Sequence, residues 1–246
     1  MSVPLSSSLT LFFLATGLAV AQNTLTVAAA SDLSMLGPEL AQGFEQTNPT
    51  GSTIKVTFVN QASAMLAQQI ENGAPYDVFL SANAQFVDRL VASGKLNRGA
   101  KAYASGRVAI LWRDGKAHSI KELTSDRVRF IALANPKLAP YGVAAQEALE
   151  HEHLWEKLQP KIVYGENVRQ ALQLFDSGNA DVVLTSDGLV SERKPQLIPT
   201  EWHTPIVQKA GVVSASGKQK EANLFLQFLL GKEAQAIFAR HGFGKP

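Results

Sequence analysis

The sequence predicts an α/β protein of two lobes, each a mostly parallel sheet flanked by helices. Short apolar runs alternate with segments whose apolar residues recur at helical spacing, a pattern that implies parallel sheets covered on both faces. The alternation comes in two sets, the second starting at Val108–Trp112. At 246 residues the chain is long enough for one large domain or two small ones with real cores.

Leu25–Ala30 reads as a buried strand, and Leu36, Leu40 and Phe44 then recur at helical spacing until Asn48-Pro49 breaks the pattern. Ile54–Val59 alternates and is β-branched, so it reads as a strand. Leu66 and Ile70 mark a helix that stops at Asn72-Gly73, Asp77–Leu80 is a strand, and Phe86, Leu90 and Val91 mark a helix ended by Gly94. In the second set Phe130–Ala134 is a strand followed by a helix from about Gly142 to His151. Ile162–Tyr164 is a strand followed by a helix from Val168 to Asp176, with Gly178 just beyond it, and Asp181–Thr185 is a further strand. Leu224, Phe225, Phe228 and Leu229 form an apolar helical face, and Ile237 and Phe238 belong to a last short helix. The chain is expected to cross between lobes near Ser105 and return near Pro205. That assigns 22–104 and 208–246 to lobe I and 105–207 to lobe II. Open α/β sheets bind ligands beyond the carboxyl ends of their strands, which places the expected site in the cleft.

A hydrophobic fraction of 46% and a charged fraction of 18% describe a globular chain. The formal net charge of +2, with no run of Lys and Arg, argues against a nucleic-acid partner. Residues 1–21 carry no charged side chain, and the apolar run Leu9–Val20 ends in Ala19-Val20-Ala21, the small-x-small pattern of a signal-peptidase site. We read 1–21 as a signal peptide. The run is short of the ~20 residues that span a bilayer. No Lys or Arg precedes it, a departure from the usual pattern. The sequence contains no cysteine, so neither a disulfide framework nor a lipid attached to an N-terminal cysteine is available. An exported protein without either is expected free in the periplasm.

Four places join the end of an extended segment to a helix start through small or polar residues: Ala28–Asp32, Gln61–Ser63, Ala139–Gly142 and Gly165–Val168. A helix N-terminus leaves backbone N–H groups without partners and carries partial positive charge. Several aimed at one point make an anion site that needs no Lys or Arg. Ser31 and Ser63 can add hydroxyl donors. Taken singly, Ser63 and Asn167 are ordinary N-cap residues; the functional reading rests on all four starts lying at the same end of their lobes.

These segments resemble the periplasmic molybdate-binding proteins of ABC transporters, a type II solute-binding protein family. The resemblance runs from Thr24 to about Phe243. It is carried by LTVAAASDLS (25–34), QQIENGAPYDVFLSAN (68–83), NPKLAPYGVAAQEAL (135–149) and GENVRQAL (165–172). It implies the two-lobed periplasmic-binding-protein fold with a ligand in the cleft. It implies molybdate or tungstate as ligand, a membrane permease as partner, no other cofactor, no catalysis and a monomer. Carried over by residue, Ser31 and Ser63 give hydroxyl and backbone N–H, whereas Tyr141 and Val168 give backbone N–H only. Part of the family has a tyrosine hydroxyl contact; reading on from Val168 without a gap, that position is Ser186, so Ser186 or Thr185 is expected to supply the bond. Asp32 is expected to turn outward while its N–H serves the site, because a carboxylate would repel a dianion. Facing the cleft, it could instead accept a proton from an anion such as hydrogen phosphate. Sulfate and phosphate are the alternative ligands.

Other constellations are set aside. His151-Glu152-His153 followed by Glu156 lacks the spacing of a zinc helix, because His151 and His153 do not share a face. Ser214–Lys218 has phosphate-loop composition, but the first glycine is one residue too far away and Gln219 stands where Ser or Thr is needed. Asp77, Glu166, Asp181 and Asp187 are expected to be solvated, and Trp112, Trp155 and Trp202 to serve packing. An enzyme would need a nucleophile–base pair, and no histidine falls in the four segments.

Overall fold

The computed structural model describes residues 23–48 and 54–246. The expected signal peptide 1–21, its cleavage point after Ala21, and Pro49 lie outside these residues.

The chain begins with β1 (Asn23–Ala30), a 3-10 turn (Ser31–Leu33), α1 (Gly37–Thr47), β2 (Ile54–Gln61), α2 (Ser63–Glu71), β3 (Val78–Ser81), α3 (Ala84–Ala92) and β4 (Lys101–Gly106). A second unit follows with β5 (Val108–Trp112), β6 (Ile131–Ala134), α4 (Pro140–His151), α5 (Trp155–Leu158), β7 (Ile162–Gly165), α6 (Val168–Asp176), β8 (Val182–Ser186), α7 (Asp187–Val190) and β9 (Gln196–Leu197). The chain ends in β10 (Ile206–Val212), α8 (Gln219–Leu230) and α9 (Lys232–Arg240). The strands form two five-stranded sheets, ordered β2-β1-β3-β10-β4 and β7-β6-β8-β5-β9. Sheet membership changes between Gly106 and Val108 and again between Leu197 and Ile206.

The sheets are mixed, which corrects the mostly parallel expectation. β10 runs antiparallel to β3 and β4, and β5 antiparallel to β8 and β9. The parallel ladders are β1 with β2 and β3, and β6 with β7 and β8. The strand–helix alternation reports the parallel ladders. β4 and β10 escape such a reading because they pair with each other across the whole second unit, Ala104 opposite Gln208.

The first sheet is buried on both faces. One face packs Leu40, Phe44, Phe225, Leu229 and Phe238 from α1, α8 and α9, with Phe44 edge-on to Phe225 at 5.2 Å. The other packs Leu66, Ile70, Val87 and Leu90 from α2 and α3 around Phe79. The second sheet shares one core with α4 and α6. Each fully buried side chain of this size stabilises the fold by roughly 1.5–3 kcal/mol. Helices α2, α3 and α6 end in glycines with φ of +84°, +72° and +83° (Gly73, Gly94, Gly178), the left-handed turn that a side chain disfavours.

The lobes meet directly. Ala64 N–H at the start of α2 donates to the Leu138 carbonyl before α4 at 3.2 Å. Phe243, beyond α9, covers Gly188 so closely that a Cβ there would stand 2.4 Å from its ring.

Candidate anion-binding site

A small, tight recess lies where the lobes meet. Its walls come from Ala30–Asp32 after β1, Gln61–Ser63 between β2 and α2, Ala82 after β3, Ala139–Tyr141 at the start of α4, and Val168 at the start of α6. All four expected segments therefore contribute, and Ser31, Asp32, Ser63, Tyr141 and Val168 are brought together. They are 4%, 1%, 1%, 3% and 2% exposed, so an occupant would be largely withdrawn from water. No Lys or Arg lines the recess. What it offers an anion is the first turns of α2, α4 and α6, whose leading N–H groups have no acceptor within their own helix.

Local sequence fixes these starts. Pro140 opens α4, where its missing N–H is no loss. Asn167 caps α6 as expected, its Oδ1 accepting from Arg169 N–H at 3.0 Å and Gln170 N–H at 3.1 Å. Ser63 differs from expectation: Ala62 is the N-cap of α2, and Ser63 is its first helical residue. The Ser63 Oγ instead accepts from Ala82 N–H at 3.1 Å, which leaves its own O–H to donate elsewhere.

Asp32 corrects the expectation of an outward carboxylate. It is buried, its Oδ2 accepts from Gln208 Nε2, and its Oδ1 has no hydrogen-bond partner. Burial pushes its carboxyl pKa up to about 6, against the opposing pull of Gln208, Tyr141 and the amides of its own turn. Gln208 Oε1 in turn accepts from the Tyr103 hydroxyl, and Gln208 Nε2 also donates to the Tyr141 hydroxyl at 3.2 Å. Burial, reinforced by the charge of Asp32, holds both tyrosine hydroxyls well above their ordinary pKa. Asp32 turns inward because this polar cluster receives it.

Ser186 and Thr185 stand outside the recess wall. Ser186 Oγ caps α7, accepting from Gly188 N–H at 3.1 Å, and Thr185 Oγ1 donates to the Val168 carbonyl at 3.2 Å. Both serve as supports, Thr185 directly beneath the start of α6.

Sequence reasoning missed Ala82, Tyr103 and Gln208. Ala82 carries the same strand-end-to-helix signal as the others, with Asn83 capping α3 through Gln85 N–H at 2.6 Å. Tyr103 and Gln208 lie on β4 and β10, the strands that alternation did not reveal.

The other constellations are structural. His151 stacks on Trp202 at 5.4 Å, and among the described residues no group of three or more His, Cys, Asp or Glu is placed to hold a metal ion. Lys218 bonds the Thr24 carbonyl and lies 3.4 Å from Asp77, which also receives Ser216 Oγ at 2.6 Å. Asp77 and Asp187 are buried, not solvated as expected, at 6% and 5% exposure. Asp77 is repaid in hydrogen bonds, and Asp187 is raised by burial with Arg107 pulling the other way.

Two α/β lobes with a buried, cation-free recess at their junction define a solute-binding protein for a small ligand. The chain belongs to the bacterial extracellular solute-binding protein family, whose model matches residues 25–244. It is similar to the molybdate-binding protein ModA of Rhodobacter capsulatus, 31% identical and covering 97% of this chain and 96% of that protein. It is 29% identical to ModA of Escherichia coli K12 over 90% of this chain and 89% of that one. The solved periplasmic molybdate-binding protein of Azotobacter vinelandii superposes with a TM-score of 0.82 at 29% identity, covering 90% of this chain and 99% of that structure. Among the described residues no helix is long and apolar enough to cross a membrane.

Proposed function

We propose that this protein captures molybdate, and with it tungstate, in the interlobe recess and delivers it to the permease of an ABC transporter. Residues 1–21 direct it to the periplasm, where it works as a soluble monomer without a further cofactor and without catalysing a reaction. One observation carries the reading: three helix starts, Ser31 and Ser63 converge on a small buried recess that no cationic side chain lines. Such a site neutralises a dianion with fixed dipoles and donors. The Ser31 and Ser63 hydroxyls and the N–H groups of Ser31, Ser63, Tyr141 and Val168 are the donors. Thr185 and Ser186 act behind them. The named relatives support molybdate over other oxyanions.

The test is titration calorimetry with molybdate, tungstate, sulfate and phosphate, alongside thermal unfolding. Molybdate at a hundred times its Kd should stabilise the fold by about 2.7 kcal/mol, with sulfate at equal concentration giving little. Absence of any heat or melting shift with molybdate and tungstate refutes the reading.

A further inference from the structure

We propose that Asp32 takes up one proton when a doubly charged oxyanion enters the recess, and so meets the anion as a neutral acid. This rests on the oxyanion reading above and goes beyond it, because it makes Asp32 the residue that decides which protonation state of ligand the site accepts.

Three observations carry it. Asp32 is part of the recess wall and 1% exposed. Its Oδ2 is held by Gln208, whereas Oδ1 is buried and makes no hydrogen bond, with the Tyr141 hydroxyl and the amides of its own turn its nearest donors. No positive side chain lines the recess with it. The groups that face it from neighbouring elements give no countercharge. Tyr103 on β4 and Tyr141 at the start of α4 are neutral hydroxyls, and Gln208 on β10 is a neutral amide. On α7, Asp187 abuts Gly242, and on α6, Arg169 lines a separate outer groove with Met35. On β2, Lys55 is exposed.

An ionised carboxylate beside a dianion in this setting meets repulsion that low dielectric magnifies. A proton relieves it. The proton comes from buffer, adds to the carboxylate, and no other bond changes. Burial has already brought the group close to this state before any ligand arrives. The neutral acid then turns an orphaned acceptor into a donor, so the site consists of donors alone. A fully deprotonated anion satisfies every one of them, whereas the O–H of hydrogen phosphate would find no acceptor. An ionised Asp32 would reverse that preference.

The experiment is calorimetry of molybdate binding at pH 7.5 in buffers of different ionisation enthalpy, repeated from pH 6 to 8.5, on the wild type and Asp32→Asn. The wild type should take up about one proton per anion, and its affinity should fall about tenfold per pH unit above the carboxyl pKa. Asp32→Asn should bind with no proton uptake and no such slope. Binding without proton uptake by the wild type overturns the proposal, as does uptake that persists in Asp32→Asn or tighter binding of hydrogen phosphate than of molybdate. The wild-type proton count alone decides the matter if the variant does not fold. No molybdate heat at any pH refutes the functional reading itself, an outcome distinct from heat without protons.

Discussion

The Tyr141 hydroxyl accepts a hydrogen bond from Gln208 Nε2 at 3.2 Å, tying the first turn of α4 in one lobe to β10 in the other. The same amide serves Asp32, and its oxygen receives Tyr103, so one glutamine satisfies three buried groups. Gln208→Leu should therefore destabilise more than a single bond would suggest, by about 2–4 kcal/mol, because it strands partners that cannot reach water. Tyr141→Phe leaves Gln208 bonded to Asp32 and should lose only about 0.5–1.5 kcal/mol. Urea unfolding of both variants at pH 7.5 measures the contrast, and equal losses would show that the cluster is not organised around Gln208.

Val168 tests whether main-chain amides grip the ligand. It is the first residue of α6, where proline fits the helix, and Asn167 before it is already extended at φ −149° and ψ 173°. Val168→Pro removes one N–H with little disturbance to the helix. Anion affinity should fall by roughly 1.5–3 kcal/mol, the worth of a hydrogen bond to a charge, or about 10–150-fold. Val168→Ala should keep affinity within a few-fold. Calorimetry compares the two, and similar losses would mean that the side chain matters instead.

Gly142 sits where α4 crosses the end of β6. A Cβ there would stand 2.2 Å from the Ala134 carbonyl oxygen and 2.9 Å from Pro136 N, and neither backbone atom can yield cheaply. Gly142→Ala should lower stability by about 1–3 kcal/mol and displace the Tyr141 amide from the recess. Thermal unfolding and molybdate titration of one sample read both effects.

The Asp32 carboxyl gives the ligand-free protein a pH dependence of definite sign. Its pKa is about 6 in the folded protein against an ordinary 3.8, so the folded state holds the proton more tightly. The resulting stability is fully present below pH 3.8 and is lost as pH rises through about 6, a change of about 3 kcal/mol for a rise of roughly two units. Glu39, Asp114 and Asp181 are lowered and act in the opposite sense, so the difference between wild type and Asp32→Asn isolates the effect. Relative to the wild type, Asp32→Asn should gain stability between pH 4 and pH 7. A pH-independent difference in denaturant midpoints would contradict this.

Much of this was legible from residues alone. The helix from Val168 to Asp176 has the bounds read from its apolar spacing and from Asn167 and Gly178 at its ends. The four site segments were visible because strand ends and helix starts leave a local signature. Gln208 was not, since a glutamine on an antiparallel return strand has no such signature, and its role arises from contacts across 176 and 67 residues of chain. The inward turn of Asp32 is hidden in the sequence for a related reason: the amide that receives its carboxylate lies 176 residues away. Ser63 looked like a cap because serine is common there, whereas its partner, Ala82 N–H, belongs to another strand end.

The insertion of β10 between β3 and β4 also governs the order in which the molecule can be made. A chain synthesised N-terminus first can complete the sheet of residues 108–197 before residues 206–212 are made. The other sheet must wait for residues 206–212, holding open an unpaired gap between β3 and β4. Until then the first sheet is incomplete, and a chain truncated before residue 206 should never close it.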